Sequence, residues 1–274
     1  MLATHRAQKE QVIGQLERLA ALAGELGMNS LKVDIEGVRL PKLADERFNL
    51  VVLGEFNHGK TTFVNALLGQ PLLPVGITPT TATINHIVHA DQPHARAVLF
   101  DGGSEEISIE QLADYVTLAG EHSARIRYVE IGFPVELLRD RITLVDTPGV
   151  NDINLARAEI TYGYIPRADA VIFLLDGTQV LKQSERAFLQ QRLLRRSRDK
   201  LLFVIGKADL LIADELEETT EFARQHLAAM VDDTVLYAAS PRLIHEGHQA
   251  QSGKQPLLEY LVRYHHEQRG RILV

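Results

Sequence analysis

Short apolar runs alternate with segments of helical periodicity along most of the chain. The runs have the length of buried strands, and between them apolar residues recur three or four positions apart, as in helices that pack on a sheet. Buried strands separated by helices are typical of a mainly parallel sheet with helices on both faces. The pattern therefore predicts an α/β fold. We predict strands at residues 48–53, 83–88, 96–100, 127–133, 142–145, 170–175, 201–206 and 235–240.

Two further helical segments lie at the ends of the chain. The N-terminal segment has an apolar seam, which predicts a helix up to about residue 26, and a last helix is predicted around Leu257 and Leu261. The N-terminal helix fits either a helix lying on its own domain or half of a helical bundle, and the sequence favours neither. The seam consists of Val12, Leu16, Leu19, Ala23 and Leu26.

The most specific motif, GEFNHGKTT at residues 54–62, follows the first predicted strand, precedes a helical segment and matches G-x4-G-K-[ST]. Glycines let the backbone close around a phosphate, at which the following helix points its N–H groups and positive dipole end. Lys60 is expected to reach the β- and γ-phosphates and Thr61 to bind Mg²⁺. The alternative is a turn rich in glycine and threonine that binds nothing. The predicted nucleotide-binding residues here are Gly54, Asn57, His58, Gly59, Lys60, Thr61 and Thr62.

A second motif, DTPG at residues 146–149, ends another predicted buried strand. An aspartate at this place can hold the Mg²⁺ shell, while the Gly149 N–H meets the γ-phosphate. Loss of that phosphate would then release the loop that follows. Asp146 is therefore a predicted metal ligand and Gly149 a predicted catalytic group. The alternative is a plain Asp-Thr-Pro-Gly turn.

A third motif, GKAD, follows the strand predicted at residues 201–206. Lys207 and Asp209 match the K-x-D of guanine-specific P-loop GTPases, in which the aspartate accepts from guanine N1–H and N2–H₂. Gly206 stands where such GTPases usually carry asparagine or threonine, which removes a bracing hydrogen bond worth about 1 kcal/mol. We therefore expect guanine specificity with modest affinity. Ser240, after the next strand, is the predicted last wall of the base pocket.

Composition narrows the class of protein. The chain has 274 residues, no cysteine, no tryptophan and a formal net charge of −7. We expect a cytoplasmic protein without thiol chemistry and without a nucleic-acid partner, because a general nucleic-acid binder needs a basic surface. No apolar run approaches the roughly 20 residues that span a bilayer. We predict that the histidines of the chain are structural or surface residues rather than metal ligands; they include His86, His89, His265 and His266.

The order of these motifs resembles a known family. GEFNHGKTT, LPVGITPTTA, DTPG, YIPRADAVIFLLDGTQ, K-x-D and YAASPRL together are similar to the GTPase domain of bacterial dynamin-like proteins, relatives of dynamins and mitofusins, over residues 48–264. The resemblance implies a P-loop GTPase fold. It also implies that Thr81 is the switch-one threonine that closes on Mg²⁺ and the γ-phosphate, with Thr80 and Thr78 as alternatives. The simpler interpretation is that these are β-favouring threonines entering a strand.

Two positions differ from hydrolysing relatives. Phe56 stands where dynamins place a glutamine that orients the attacking water, and Val150 where small GTPases place theirs. Hydrolysis is therefore expected to rely on backbone groups near Thr81, on Lys60 with Mg²⁺, and on a second GTPase domain facing the first across the nucleotide. Asn57 is a candidate for a monovalent, charge-compensating cation. Switch-two candidates for the water or the dimer contact are Asn151, Asp152 and Arg157.

The resemblance also implies three regions. Residues 1–44 are predicted to form an N-terminal helix and linker, residues 45–245 the GTPase domain, and residues 246–274 a C-terminal helix. The two terminal helices are expected to pack together as a small helical neck. The predicted contact joins Val12, Leu16 and Leu19 to Leu257, Leu261 and Tyr264.

Dynamin-like proteins carry a helical stalk and a lipid-binding tip after this domain. The apolar end at residues 272–274 falls about where such a stalk would start, so we expect a longer full-length protein. A short protein that uses a separate dynamin-like partner is the alternative. Lipid contact is expected only through regions outside this chain, at the inner face of the membrane.

We predict a Mg²⁺-dependent GTPase that converts GTP to GDP and phosphate, dimerises across the nucleotide and drives membrane remodelling in the full-length protein. An alternative is a regulatory GTPase switch, for example in ribosome assembly, that binds a partner according to nucleotide state. A third hypothesis is a nucleotide-binding structural module with negligible turnover. It is consistent with Phe56 and Val150, which stand where other GTPases carry a water-orienting glutamine.

Overall fold

The computed structural model describes residues 2–41, 47–76, 81–117, 122–150, 161–194 and 198–272. The chain divides into two compact units, Phe48–Arg263 and a smaller unit of Met1–Arg47 with Tyr264–Val274. All predicted nucleotide-binding residues belong to the larger unit. The predicted boundary between residues 245 and 246 differs from this division, because Lys254 Nζ donates to Ala66 O at 2.8 Å within the larger unit. The predicted boundary between residues 44 and 45 lies outside the described residues.

A sheet forms the centre of the larger unit. Its strands in the described residues are β1 Phe48–Leu53, β2 Asn85–His89, β3 His94–Leu99, β4 Ser104–Ile107, β5 Ile126–Phe133, β6 Ile142–Asp146, β7 Ala170–Asp176, β8 Leu201–Gly206 and β9 Leu236–Ala238. They lie in the order β4-β3-β5-β2-β6-β1-β7-β8-β9. The run from β6 to β9 is parallel, as is the pair β2 and β5. The pairs β2 with β6, β3 with β4, and β3 with β5 are antiparallel.

The prediction of a mainly parallel α/β sheet is confirmed, and its two halves differ in burial. Every residue of β6, β7 and β8 is buried, as expected for parallel strands covered on both faces. In β3 buried residues alternate with more exposed ones at the start of the strand. Because β1 and β6 are parallel neighbours, their carboxyl ends lie at the same edge of the sheet, where ligands bind in such folds.

The α-helices among the described residues are α1 Leu2–Glu25, α2 Asn29–Asp34, α3 Lys60–Leu68, α4 Leu112–Val116, α5 Gln183–Phe188, α6 Ala213–Ala228, α7 Pro241–His245 and α8 Lys254–Ile272. A π-helical turn extends α2 to Arg39 and another extends α5 to Leu193. Helix α3 is buried along its length except at Thr62. Its Asn65 side chain exchanges two hydrogen bonds with the backbone of Leu73, which fixes the loop after the helix.

Aromatic packing joins the central strands to α5. The ring centroid of Phe173 in β7 lies 5.8 Å from that of Phe188 in α5 and 6.2 Å from that of Phe203 in β8. All three side chains are buried in one apolar cluster, which also contains Val150. This packing supports the edge of the sheet at which the candidate site lies.

The smaller unit is helical in its described parts. It contains α1, α2 and the end of α8. Between residues 10 and 25 of α1, Ala20 and Ala23 are buried, whereas Val12 and Leu19 of the predicted seam are exposed. The helix itself is confirmed. The neck contact stays a prediction. In the described residues no helix is long and apolar enough to cross a membrane.

Candidate nucleotide site

The loop after β1 has the backbone of a phosphate-binding turn. Asn57 and Gly59 have φ angles of 62° and 78°, in the left-handed region, and Gly59 directly precedes α3. Glycine is needed at position 54, because a Cβ there would lie 2.7 Å from Leu174 O of β7. The loop therefore packs against β7 and turns the first N–H groups of α3 towards its own concave side.

Lys60, the first residue of α3, is a buried cation of this loop. Its Nζ donates to Glu55 O at 2.9 Å, so the side chain folds back along the loop. The positive charge of the buried Lys60 lies at the start of α3, a helix end that already favours anions. The loop can therefore bind a phosphate group through its backbone, Lys60 and the helix end together.

Three oxygen-bearing side chains meet next to Lys60. Thr61 Oγ1 lies 3.0 Å from Thr81 Oγ1 and donates to Asp146 Oδ2 at 3.1 Å. Burial raises the pKa of Asp146 to about 6, although Lys60 and the Thr61 hydrogen bond favour its charged form. These residues come from the start of α3, the segment before β2 and the end of β6.

The hydroxyl and carboxylate oxygens of this cluster fit a magnesium ion. Mg²⁺ prefers oxygen ligands and is usually held by one or two carboxylates together with substrate phosphates. Asp146 is completely buried, yet its Oδ1 makes no hydrogen bond with any residue that the structure describes. A buried carboxylate oxygen without a donor fits a cation more readily than it fits protein packing.

Thr81 is held in place by pairing with the end of α4. Thr81 and Thr117 form an isolated antiparallel bridge, and Ala82 N–H donates to Val116 O at 2.8 Å. Of the alternatives to Thr81, Thr78 and Thr80 lie outside the described residues. Thr81 is therefore the described switch-one candidate that reaches the oxygen cluster.

The DTPG segment packs directly on the phosphate-binding loop. A Cβ on Gly149 would lie 3.0 Å from both N and Cα of Phe56, so only glycine allows this approach without a shift. Val150 is completely buried and its N–H donates to Gly54 O at 3.2 Å, whereas Phe56 is 40% exposed. Asn151, Asp152 and Arg157, the switch-two candidates, lie outside the described residues.

The side chain of His58 is buried and contacts neighbouring residues. Its Nδ1 lies 3.3 Å from Leu174 O and 3.3 Å from Glu185 Oε1, and burial lowers the pKa of the imidazole. Glu185 is fully buried at the start of α5, where its Oε2 accepts from Lys182 N–H at 2.8 Å. Burial raises the pKa of Glu185 to about 7, and the nearby Glu55 adds to the effect. Because its side chain is buried in these contacts, His58 can contact a ligand only through its backbone.

Replacing Glu185 with glutamine should make the stability of the protein less dependent on pH. The folded state holds the Glu185 proton more tightly than the unfolded state, so this stabilisation is present below about pH 4.5 and lost as the pH rises through about 7. Glutamine keeps an acceptor for Lys182 N–H without the charge. Urea unfolding should show little difference at pH 5 and about 2 kcal/mol more stability for Glu185→Gln at pH 8.

Glu215→Gln is the matched control, because Glu215 caps α6 in the same way, with Ile212 N–H donating to its Oε2 at 3.2 Å, but is exposed. This control should stay within about 0.5 kcal/mol of the unaltered protein throughout. Parallel stability curves for Glu185→Gln and the unaltered protein between pH 5 and 8 would contradict the prediction.

The residues of the predicted base pocket lie close together, and two residues that were not predicted contact them. Lys207 has a φ angle of 56° and its Nζ donates to Asp176 Oδ2 at 2.6 Å. Ser240 Oγ donates to Asp209 Oδ1 at 2.6 Å, and Arg242 Nε lies 2.9 Å from Asp209 Oδ2. The carboxylate of Asp209 is thus held between two side chains of the segment after β9.

The hydrogen bond from Lys207 to Asp176 takes the place of the hydrogen bond that Gly206, which has no side chain, cannot make. Burial alone would raise the pKa of Asp176, but the hydrogen bonds from Lys207 and Thr178 outweigh it and keep the pKa below its usual value. A Cβ on Gly206 would lie 3.2 Å from Leu174 Cδ1, which is tight packing. The signal for Asp176 in the sequence was an aspartate at the end of a buried strand, and for Arg242 its position two residues after Ser240.

Three of the other histidines that the structure describes pack or hydrogen-bond within the protein. His86 stacks on Tyr128 with ring centroids 4.4 Å apart, His89 Nδ1 lies 3.1 Å from Val135 O, and His265 is buried. In the described ranges no group of three histidine, cysteine, aspartate or glutamate side chains could hold a metal ion. That these histidines are not metal ligands stays a prediction.

Relatives with known sequences are similar to most of this chain. The chain is 33% identical over 208 residues to an uncharacterized protein in the xynA 3' region of Caldicellulosiruptor sp., covering 75% of this chain and 51% of that protein. It is 33% identical over 201 residues to a probable chloroplastic transmembrane GTPase, FZO-like, of Arabidopsis thaliana, covering 72% and 19%. It is 29% identical over 220 residues to the bacterial dynamin-like protein of Nostoc punctiforme, covering 73% and 32%. The chain thus spans about half or less of the length of these relatives.

Solved structures share the fold. A chain of an oligomerised bacterial dynamin pair matches with a TM-score of 0.65 at 24% identity, covering 98% of this chain and 53% of that chain. The model of the Dynamin family matches residues 50–208, which is more than half of the sequence and includes the phosphate-binding loop, DTPG and the start of the K-x-D motif. The chain therefore belongs to the dynamin family and carries the GTPase domain of that family.

Proposed function

We propose that this domain binds GTP with Mg²⁺, hydrolyses it to GDP and phosphate, and is stimulated when two copies dimerise across their nucleotides. One observation carries the proposal: Thr61 Oγ1 lies 3.0 Å from Thr81 Oγ1 and 3.1 Å from Asp146 Oδ2, beside the buried Lys60. Charge stabilisation and positioning supply most of the catalysis in phosphoryl transfer, and both need such a cluster.

Each residue of the cluster has a role in this proposal. Lys60 binds the β- and γ-phosphates, and the Gly149 N–H faces the γ-phosphate. Thr61, Thr81 and Asp146 hold the metal ion, which when bound neutralises charge on the phosphate oxygens. Closure of Thr81 on the γ-phosphate would couple the segment before β2 to the state of the nucleotide.

The base pocket supports GTP rather than ATP as the substrate. Asp209 keeps its carboxylate in place through Ser240 and accepts from guanine N1–H and N2–H₂, a donor pair that adenine does not have. Lys207, fixed by Asp176, lies where its side chain can cover the base. The contact between Asp176 and Lys207 offsets the hydrogen bond that is missing at Gly206. The affinity for guanine nucleotides should therefore be reduced by less than the sequence alone suggests.

Dimerisation is proposed because neither position at which dynamins or small GTPases carry a water-orienting glutamine holds one in this chain. Phe56 is apolar and Val150 is buried, so neither side chain can position the attacking water. A group from a second copy could complete the site in trans, as arginine fingers do in other GTPases. Asn57, exposed in the loop, is the proposed ligand of a monovalent cation that compensates charge there.

Membrane remodelling is proposed only for the full-length protein. One relative is described as a probable transmembrane GTPase, and a structural neighbour was solved as a pair for long-range sensing and tethering of membranes. Lipid contact would come from regions outside this chain, or from a dynamin-like partner. The proposed location is the cytoplasm, at the inner face of a membrane in the full-length protein.

GTP turnover per protein molecule, measured against protein concentration, tests the proposal. We expect the rate per molecule to rise steeply with concentration, because the active form is a dimer. GDP with aluminium fluoride, which mimics the transition state, should convert the chain to a dimer in analytical ultracentrifugation, and GDP alone should not. Lys60→Ala serves as the non-binding control.

The other hypotheses give different results in the same assay. A low rate that does not change with concentration would favour a regulatory switch, and no turnover would favour a structural module. A chain that binds GDP and aluminium fluoride yet stays monomeric would rule out the dimeric mechanism while leaving GTP binding intact.

A further inference from the structure

Arg242 lies at the edge of the base pocket and has no role in the function proposed so far. Its Nε is 2.9 Å from Asp209 Oδ2, while Ser240 Oγ donates to the other carboxylate oxygen at 2.6 Å. The side chain of Arg242 is 59% exposed and that of Asp209 only 7%. The guanidinium thus covers the carboxylate that is proposed to read guanine.

The terminal amino groups of Arg242 keep their hydrogen-bonding capacity. Its charged contacts in the described part of the chain are made through Nε, to Asp209 at 2.9 Å and to Glu246 at 3.9 Å. Among those residues, neither terminal amino group makes a hydrogen bond. A guanidinium has five N–H donors in a planar fork, so several donors stand beside Asp209.

Guanine requires a donor that Asp209 cannot supply. Its Watson–Crick edge offers N1–H and N2–H₂ as donors and O6 as an acceptor next to N1, with N7 as a second acceptor beyond O6. A carboxylate satisfies the two donors and has no proton for O6. The donor for O6 must therefore come from the wall of the pocket near Asp209.

The backbone of that wall offers few donors. Pro241, the residue after Ser240, has no N–H. Lys207 Nζ is held by Asp176 at 2.6 Å, in a position proposed to cover the base rather than to reach its edge. Among the described residues of the wall, the N–H of Ala239 is occupied by Ile205 O at 2.8 Å, that of Ser240 by Ser252 O at 2.9 Å, and that of Leu243 by Ser240 Oγ at 3.1 Å, so the donors left are the backbone N–H and the guanidinium of Arg242.

We propose that the Arg242 guanidinium donates to guanine O6, and so reads the acceptor of the base while Asp209 reads its donors. The inference rests on the proposed binding of guanine at Asp209. Arginine commonly donates in pairs to O6 and N7 of guanine, which its planar fork matches. Adenine carries an N6–H₂ donor at the position of O6, so Arg242 disfavours adenine as Asp209 does.

Binding of three diphosphates to the Arg242→Ala variant separates this contact from other effects. GDP carries N1–H, N2–H₂ and O6, and IDP lacks only the 2-amino group. In 6-thio-GDP the N1–H is kept, but sulfur, a weak acceptor, replaces O6. We expect Arg242→Ala to weaken GDP and IDP by the same factor, about 10-fold or more, and 6-thio-GDP by less than about threefold. Arg242→Lys, which keeps a donor, should fall between.

Glu246→Ala is the matched control, since it removes the other charged neighbour of Arg242 and leaves Asp209 untouched. It should not change the ratio of GDP to 6-thio-GDP affinity. Because that ratio is measured within one variant, partial unfolding does not affect it. Thermal melts of each variant provide a second check.

Each other outcome overturns the proposal. Equal weakening of all three diphosphates would mean that Arg242 only orients Asp209. Tighter binding of GDP by Arg242→Ala would mean that guanine displaces Arg242. Unchanged binding would assign O6 to another donor, such as the Arg242 backbone N–H. Failure of the unaltered chain to bind GDP would instead overturn the proposed function.

Discussion

Replacing Lys60 with alanine should lower kcat/KM for GTP by at least about 100-fold. Lys60 is buried at the start of α3, with its ammonium group next to the oxygen cluster of Thr61 and Asp146. Removing a preorganised charge that faces developing charge costs about 3 to 4 kcal/mol of transition-state stabilisation. Steady-state kinetics above the concentration at which the protein dimerises would measure the loss.

Lys254→Ala is the control for this substitution. Lys254 Nζ donates to Ala66 O near the other end of α3, so the variant alters the same helix without touching the phosphate-binding loop. It should lose about 1 kcal/mol of stability and keep kcat/KM within about threefold. If Lys60→Ala retained a tenth of the activity, the assignment of Lys60 to the phosphates would be wrong.

Asp209→Asn should change the preferred nucleotide from GTP to xanthosine triphosphate. Asparagine still accepts from N1–H, but its amide group donates, which conflicts with guanine N2–H₂ and matches the carbonyl at C2 of xanthine. Sites that hydrogen-bond a substrate group discriminate strongly against analogues that lack it. We expect GTP affinity to fall by about 100- to 1,000-fold and xanthosine triphosphate to become the tighter ligand by about 10-fold.

Asp176→Asn is the control, because Asp176 contacts Lys207 and has no part in the proposed reading of the base edge by Asp209. It should weaken both triphosphates by a similar factor, about 3- to 10-fold. The ratio of the two affinities, from fluorescence competition, is the deciding measurement. An Asp209→Asn variant that still prefers GTP would show that the base is read elsewhere.

The phosphate-binding loop was readable from sequence because its parts are contiguous. A strand, a glycine-rich turn and a helix follow one another from residue 48 to residue 68, so spacing alone predicts their geometry. The alternation of apolar strands with helices likewise predicted the parallel part of the sheet. Strand β4 was not predicted, because Ser104–Ile107 is short and polar and pairs only with β3.

The partners of the motif residues were not readable in this way. Asp176 and Lys207 are 31 positions apart along the chain, and neither this pair nor Asp209 with Arg242 forms a local pattern. Whether such residues meet depends on the order and register of parallel strands. The pairing of β7 with β8 places Asp176 opposite Gly206, and this puts the carboxylate within reach of Lys207.

The sequence by itself determined the strand-turn-helix unit, the identities of Lys60, Asp146 and Asp209, and the family. Short-range steric and hydrogen-bonding rules decide these features, and they act between residues a few positions apart. Only the tertiary structure showed that Asp176 holds Lys207 and that Arg242 covers Asp209. Such contacts join segments whose separation in the chain carries no signal, so only the packing of the sheet brings them together.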